Sequence, residues 1–219
     1  MNIKFVLLDI CNTTVNIETA DKFIEFVLKK TNRLKLLKFK ILSKIIKTKV
    51  GYHSLKFMKK KYKFETLKLL KNLKREILED LSYEFFKKIL KPNYNLKTVK
   101  FLEKYPNSKV IIVSGGYDIY LKHLAKDLNI PHLVCSKLKF TKNIFSGELE
   151  DLDCIGINKV ILLDKYGYLK KIIFEHTAVL SDSISDLPLF SLGKYKIAVN
   201  PDKELSKLIN KGWLLLNDL

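Results

Sequence analysis

The stretch that decides the fold is Ile3-Lys4-Phe5-Val6-Leu7-Leu8-Asp9-Ile10-Cys11-Asn12-Thr13-Thr14. Its first six residues are mostly apolar and have the length of a buried strand, and Asp9 follows them directly. In α/β proteins, ligands bind just beyond the carboxyl ends of the strands. Asp9 is therefore a candidate nucleophile or metal ligand.

A second carboxylate cluster occurs far downstream. It is Ser181-Asp182-Ser183-Ile184-Ser185-Asp186, and it also follows an apolar run, Ala178-Val179-Leu180. If both runs are strands of one sheet, their ends could hold one divalent cation between them.

Strand and helix patterns alternate along the second half of the chain. The predicted strands are 109–113, 132–135, 177–180 and 196–199, and the predicted helices are 119–128, 158–166, 187–192 and 203–209. A hairpin at 138–145 turns at Lys142-Asn143. Alternation of this kind predicts an α/β fold with a doubly wound, Rossmann-like parallel sheet and helices on both faces.

The segment 16–104 has a different pattern. Its apolar residues recur at three- and four-residue spacing, it contains one glycine, Gly51, and its first proline is Pro92. We therefore predict an all-helical insertion at 16–104, with a core formed by 1–15 and 105–219. The helices are expected to break near 91–95, and a turn is expected at 105–108.

Composition limits the class of protein. The 219 residues are 47% hydrophobic, which suits an α/β domain with an insertion. Three scattered cysteines (Cys11, Cys135 and Cys154) form no CxxC pair, so neither a disulfide framework nor a zinc site is indicated. The first apolar run is too short for a signal peptide, and no run approaches a membrane span. These features predict a cytoplasmic protein.

The positive charge is unevenly distributed. The formal net charge is +18, and segment 16–104 carries 25 Lys and Arg residues against 9 Asp and Glu residues. Such asymmetry indicates an anionic partner, whether a phosphorylated substrate, a membrane surface or nucleic acid. The alternative is that the lysines decorate solvated helix faces.

Four pieces in chain order resemble the motifs of the haloacid dehalogenase superfamily, and specifically its phosphoserine-phosphatase-like branch. They are Asp9-Ile10-Cys11-Asn12-Thr13, Ile111-Ile112-Val113-Ser114-Gly115-Gly116, Gly156-Ile157-Asn158-Lys159 and Asp182-Ser183-Ile184-Ser185-Asp186. Each piece alone could be a turn, a solvated lysine or a helix cap; their order and spacing together carry the resemblance. It covers the whole chain and implies that 16–104 is a cap over the active site.

The resemblance also implies a reaction and a metal. Asp9 would attack phosphorus and form an aspartyl-phosphate intermediate. Mg²⁺ would bind the Asp9 carboxylate, the backbone carbonyl of Cys11 and the Asp182 carboxylate. Asp186 would support these ligands without binding the metal directly, or would bind it through a water molecule.

The phosphate group would be held by other residues. Ser114 and the Gly115 amide would bind phosphate oxygens at a strand-to-helix turn. Lys159 would pair with the phosphate and with Asp9, and the Thr13 hydroxyl would steady the first loop.

Cys11 departs from the family pattern. Phosphatases of this superfamily carry an Asp there, which protonates the leaving oxygen and later activates water. A neutral thiol is a weak donor and a poor base. The hypothesis is that the leaving group needs little protonation, as in a pyrophosphate, an anomeric phosphate or an acyl phosphate.

The predicted function is Mg²⁺-dependent hydrolysis of a small phosphorylated metabolite, with a glycan- or lipid-linked phosphate among the options. The basic amphipathic stretch 34–47 leaves open a peripheral contact with an anionic membrane, or simple packing against other cap helices. Nucleic acid is disfavoured, since no recognisable binding motif occurs. The alternative function is a catalytically weak relative that binds a phosphorylated ligand or an anionic membrane. The sequence does not determine the oligomeric state.

Overall fold

A computed structural model describes residues 2–48, 55–105, 109–209 and 212–216. Six parallel strands form the central sheet in the order β3-β2-β1-β6-β7-β8. The sheet strands are β1 Phe5–Leu8, β2 Val110–Tyr117, β3 His132–Ser136, β6 Thr177–Ser181, β7 Tyr195–Ala198 and β8 Trp213–Leu215, and a separate antiparallel hairpin consists of β4 Leu138–Thr141 and β5 Ile144–Leu149.

The described helices all lie between β1 and β8 along the chain. Those between β1 and β2 are α1 Thr19–Thr31, α2 Arg33–Thr48, α3 Leu55–Leu67, α4 Arg75–Phe85 and α5 Leu96–Glu103. The later ones are α6 Asp118–Asp127, α7 Ile157–Lys165, α8 Leu187–Phe190 and α9 Lys203–Leu208. The predicted doubly wound sheet with an inserted helical segment is confirmed.

Alternation along the strands divides the core into two layers. Val6 and Leu8 pack into the layer that includes the inserted helices, whereas Leu7 packs into the layer formed with α7, α8 and α9. Successive side chains of a strand point to opposite faces of the sheet, so a run that is apolar at every position is buried on both sides.

The strand order places a topological switch at β1. From β1 the chain runs outwards through β2 and β3, and it returns on the other side of β1 with β6, β7 and β8. Leu7 pairs with Ile111 of β2 and with Val179 of β6. The carboxyl ends of these three strands therefore meet, and a crevice at such a point is where this architecture binds ligands.

Three elements differ from the sequence prediction. β2 continues to Tyr117 rather than ending at Val113, with a register shift against β3 between Ser114 and Tyr117. α8 ends at Phe190, and β8 adds a strand that the pattern did not indicate. The predicted turn at 105–108 lies mostly outside the described residues, as does Gly51.

The hairpin contacts the insertion as well as the sheet. Phe145 of β5 donates its backbone N–H to Leu73 and accepts from Asn72, and Arg75 N–H donates to Asn143. The division into a core of 1–15 and 105–219 and a cap of 16–104 remains a proposal.

Candidate active site

A buried lysine joins two carboxylates at the carboxyl edge of the sheet. Lys159 Nζ lies 2.6 Å from Asp9 Oδ1 and 2.6 Å from Asp186 Oδ2. The three residues are 3%, 5% and 2% exposed. Residues that are 150 and 27 positions apart in sequence from Lys159 thus meet in one ion-pair network.

Each member of this network is fixed by the backbone that carries it. Asp9 follows β1, and its N–H donates to the Leu180 carbonyl of β6. Lys159 lies in the first turn of α7, after Gly156 at a φ of 53°. Ser181, at the end of β6, donates its hydroxyl to Asp186 Oδ2 at 2.6 Å. Two of these side chains, Asp9 and Ser181, are therefore positioned directly by the ends of the parallel strands β1 and β6.

Burial and charge set the protonation of the network. Burial alone would lower the pKa of the Lys159 ammonium, but Asp186 and Asp9 outweigh it and raise that pKa above its ordinary value. Burial raises the pKa of the Asp9 carboxyl, Lys159 opposes this effect and the charge of Asp186 adds to it. Lys159 is thus a permanent cation whose charge favours the ionised form of Asp9.

Asp182 lies beside this network on the loop after β6. Burial, and then the charges of Asp9 and Glu18, raise the pKa of the Asp182 carboxyl to about 8. The loop is held by Asp202, whose N–H donates to the Asp182 carbonyl at 2.7 Å and whose Oδ2 accepts from Ile184 N–H at 3.0 Å. The sequence patterns indicated no role for Asp202.

The donor set suits a hard divalent cation. Asp9, Asp182 and Asp186 carry three carboxylates against the single ammonium of Lys159. Burial raises the pKa of the Asp182 carboxyl most, and the charges of Asp9, Glu18 and Asp186 add to this effect. Within the described ranges, no three His, Cys, Asp or Glu side chains are grouped to hold a metal ion. The predicted set needs only two carboxylates, because its third protein ligand is a main-chain carbonyl.

The first loop is held by a different threonine from the predicted one. Thr14 Oγ1 donates to the Asp9 carbonyl at 2.7 Å. The carbonyl of Thr13 accepts from Asn95 Nδ2 and from Thr98 Oγ1. The Thr13 hydroxyl is buried and has no hydrogen-bond partner among the described residues. The steadying role assigned to the Thr13 hydroxyl therefore belongs to Thr14, since Thr14 faces back towards Asp9.

Ser114 and Gly115 lie within the end of β2 rather than in a turn. Ser114 is fully buried, and its Oγ accepts from Gly116 N–H at 3.2 Å. A Cβ atom at Gly115 would lie 2.6 Å from Ile155 Cγ2, so only glycine fits there without displacement. This close approach brings β2 against the segment that leads to Lys159.

A second, partly buried ion pair links the inserted helices to the end of β2. Lys63 of α3 donates to the Gly115 carbonyl at 2.7 Å and to Asp153 Oδ1 at 2.5 Å. Asp153 also accepts from the Ser136 hydroxyl at 2.6 Å. Neither Lys63 nor Asp153 was predicted as a site residue. Lys63 is one of 15 basic residues between positions 16 and 63, and nothing in its spacing distinguishes it from the others.

Cys11 is half-buried near the nucleophile candidate. Its Sγ lies 3.2 Å from Thr19 Oγ1, which lies 2.8 Å from the Tyr120 hydroxyl. Burial, with the charges of Glu18 and Asp9, raises the pKa of the Cys11 thiol to about 12. At neutral pH the thiol therefore stays protonated, and it cannot serve as a base.

Relatives with sequence similarity include a protein of Mycobacterium tuberculosis named a probable phosphatase. It is 27% identical over 109 residues, which are 49% of this chain and 38% of the relative. The chain thus spans well under half the length of the curated relatives it matches.

Solved structures share the whole fold. A protein of unknown function from Bordetella pertussis Tohama I superposes with a TM-score of 0.80 at 15% identity, covering 98% of both chains. A phosphoserine phosphatase solved as a phospho-aspartyl intermediate analogue has a TM-score of 0.66 at 21% identity, covering 99% of this chain and 94% of that one. At these identities the likeness shows the fold alone.

The family model for haloacid dehalogenase-like hydrolases matches residues 6–191. That span runs from β1 to the end of α8 and includes Asp9, Ser114, Lys159 and Asp186. The predicted resemblance is confirmed, and the chain belongs to the haloacid dehalogenase-like hydrolase family.

Proposed function

We propose that the chain is a Mg²⁺-dependent phosphatase-like hydrolase that acts on a small phosphorylated metabolite through an aspartyl-phosphate on Asp9. The observation that carries this proposal is the buried Lys159 ammonium, 2.6 Å from both Asp9 and Asp186. An ammonium in this position keeps Asp9 ionised and can also meet an anionic phosphate.

In the first step, an oxygen of Asp9 attacks phosphorus. The bond from phosphorus to the leaving oxygen breaks, and that oxygen keeps the electron pair. In the second step, water attacks the phosphorus of the aspartyl-phosphate, the bond to Asp9 breaks and the carboxylate is restored. The water loses its proton to the phosphate or to solvent. Two displacements replace one difficult displacement.

The carboxylates of Asp9 and Asp182 and the main-chain carbonyl of Cys11 would hold Mg²⁺, with Asp186 behind them. When bound, the cation offsets the negative charge that otherwise keeps a carboxylate and a phosphate apart. Asp186 Oδ2 already accepts from both Lys159 Nζ and the Ser181 hydroxyl, which favours a position behind the metal ligands for that carboxylate.

The phosphate would be held at the end of β2 and in the first loop. Ser114 Oγ accepts from Gly116 N–H, so its own hydroxyl hydrogen is available to donate to a phosphate oxygen. The Gly115 amide and the unpaired hydroxyl of Thr13 add two further donors. Lys159 completes the set.

Cys11 restricts the leaving group. A thiol whose pKa is raised to about 12 is a weak acid and no base, so leaving groups that are stable as anions are preferred. We therefore propose acyl phosphates, anomeric phosphates or pyrophosphates as substrates. A reducing compartment such as the cytoplasm suits the three free cysteines.

The comparisons support this proposal at a coarser level. A sequence relative is named a probable phosphatase, and a phosphoserine phosphatase of the same fold has been solved as a phospho-aspartyl analogue. Both statements concern those proteins, and they favour phosphate-ester chemistry at the corresponding strand ends.

A substrate panel tests the proposal. Acetyl phosphate, glucose 1-phosphate, a pyrophosphate, a lipid phosphate and serine phosphate are incubated with Mg²⁺, and released phosphate is measured for the wild type, Asp9→Asn and Asp151→Asn. Asp151 carries the same change outside the network, where it pairs with Lys165. We expect Asp9-dependent release that is fastest with acetyl phosphate. Equal release by the wild type and Asp9→Asn would contradict the proposal.

The second candidate is a binding protein that holds a phosphorylated ligand without efficient turnover. The protonated Cys11 thiol favours it, because a base for the water step is missing at that position. Binding of a panel member by calorimetry, with no Asp9-dependent release of phosphate from any member, would select this candidate.

A further inference from the structure

Helix α2 has two apolar faces, and only one of them is packed. Phe39 is 4% exposed and lies in the core. Leu34, Leu37 and Ile41 are 82%, 58% and 52% exposed. Their spacing of three and four residues places these three side chains on one face of the helix. The aliphatic side chains Leu34, Leu37 and Ile41 thus form a stripe that the described part of the chain leaves exposed.

The packed face fixes the helix to its neighbours. Ser43 Oγ lies 2.7 Å from the Tyr62 hydroxyl of α3, which donates to Asp21 of α1 at 3.0 Å. Asn32 caps the first turn by accepting from Lys35 N–H. Because α2 is anchored on this side, the exposed stripe is presented outwards on a formed helix.

The surroundings of the stripe are strongly cationic. The segment 26–64 contains 14 Lys and Arg residues and not one Asp or Glu. Exposed Lys38 follows Leu34 by four residues, and exposed Lys40 follows Leu37 by three, so cations border the stripe. A stripe of this kind matches the boundary between acyl chains and phosphate headgroups.

We propose that the exposed face of α2 docks on an anionic lipid bilayer, with the aliphatic stripe in the interface and the lysines on lipid phosphates. A second copy of the chain would bring two such cationic faces together, which charge repulsion opposes. Nucleic acid would occupy the lysines but would leave the aliphatic side chains in water. No helix in the described ranges is both long and apolar enough to cross a membrane.

Vesicle flotation tests this proposal without reference to catalysis. Full-length protein is mixed with vesicles of phosphatidylcholine alone or of phosphatidylcholine with phosphatidylglycerol, at low and at high salt. We expect binding only to the vesicles with phosphatidylglycerol, and we expect it to weaken as salt rises. Asp9→Asn should bind as the wild type does, so a failure of the proposed chemistry leaves this test intact.

Two variants address the stripe and the charge separately. The Leu37→Gln/Ile41→Gln variant should bind phosphatidylglycerol vesicles about tenfold more weakly, and Lys38→Glu/Lys40→Glu should lose a similar factor or more. The control is Ile173→Gln/Phe174→Gln, which removes two similarly exposed apolar side chains outside α2, just before β6. Circular dichroism verifies that each variant is folded.

Three results would overturn the proposal. The first is no phosphatidylglycerol-dependent binding by the wild type at low salt. The second is an equal loss in the control at residues 173 and 174. The third is a stable dimer, seen by light scattering, that Leu37→Gln/Ile41→Gln dissociates while vesicle binding is absent.

Discussion

The carboxyl edge of the sheet and the exposed face of α2 differ in how their side chains are surrounded. Charged side chains at the edge are buried and paired, whereas charged and apolar side chains on the α2 face both lie in solvent. At the edge, Lys159 is buried and its charge is met at 2.6 Å by Asp9 and Asp186. On α2, lysines lie in solvent beside aliphatic side chains that are also in solvent. A buried ion needs specific partners, whereas an exposed one needs none. The edge is thus organised by contacts within the chain, whereas the apolar side chains Leu34, Leu37 and Ile41 of α2 remain exposed to solvent.

The largest expected effect is at the edge, with Lys159→Met. Asp9 and Asp186 would remain as buried carboxylates without their shared cation, which costs about 3–5 kcal/mol of unfolding free energy. Phosphate release should fall at least about a hundredfold, because the group that favours ionised Asp9 and meets the phosphate is lost. Urea unfolding and steady-state kinetics measure the two effects.

Lys165→Met is the matched control for Lys159, because it lies on the same helix and pairs with Asp151 near the surface. It should leave the free energy of unfolding nearly unchanged, because the pair is exposed to solvent. If both lysine variants behave alike, the distinction between a buried network and exposed charge fails.

The next effect concerns Cys11. Cys11→Asp restores a carboxyl group two residues after Asp9, and it should speed the hydrolysis of unactivated alkyl phosphates by about a hundredfold. Acetyl phosphate hydrolysis should change little, because its leaving group needs no proton. Fast hydrolysis of alkyl phosphates by the wild type that Cys11→Ala leaves unchanged would contradict our account of the leaving group.

Substitution of Lys63 tests whether its contacts with Asp153 and the Gly115 carbonyl stabilise the packing of the inserted helices on the end of β2. Lys63→Met removes the partner of buried Asp153 and of the Gly115 carbonyl, so we expect a loss of about 2 kcal/mol, less than for a fully buried pair because Lys63 is partly exposed. Lys68→Met, which breaks an exposed pair with Glu65, should cost about 0.5 kcal/mol or less. Similar losses of stability in both variants would argue against a stabilising contact between the inserted helices and the end of β2 through Lys63.

The smallest expected effect is on the exposed face of α2. Leu37→Gln/Ile41→Gln should change the unfolding free energy by about 0.5 kcal/mol or less, because both side chains are already in water. Phe39→Ala, on the packed face of the same helix, should cost about 3 kcal/mol. A large loss in the glutamine variant would mean that the stripe contributes to the fold.

Much of the edge could be predicted from the sequence. Asp9 and Asp182 directly follow β1 and β6, whose apolar runs favour doubly buried strands, and parallel strands end at one edge. Lys159 could be assigned only by resemblance, because a single lysine in a lysine-rich chain has no distinguishing pattern.

Other features depend on contacts that local patterns do not contain. The extension of β2 through Gly115 depends on Lys63 and on the close approach of Ile155. The role of Thr14 depends on which of two adjacent hydroxyls faces Asp9. On α2, Phe39 and Leu37 are equally apolar in sequence, and only the packed neighbours decide which face is buried.

The central claim is that Asp9 accepts a phosphoryl group. The most direct measurement is acid quench of the protein after brief mixing with acetyl phosphate and Mg²⁺, followed by mass spectrometry of its peptides. We predict the added mass of one phosphoryl group on the peptide that contains Asp9, with no such mass in Asp9→Asn. Release of phosphate from acetyl phosphate that proceeds without any phosphorylated Asp9, and equally in Asp9→Asn, would contradict the account.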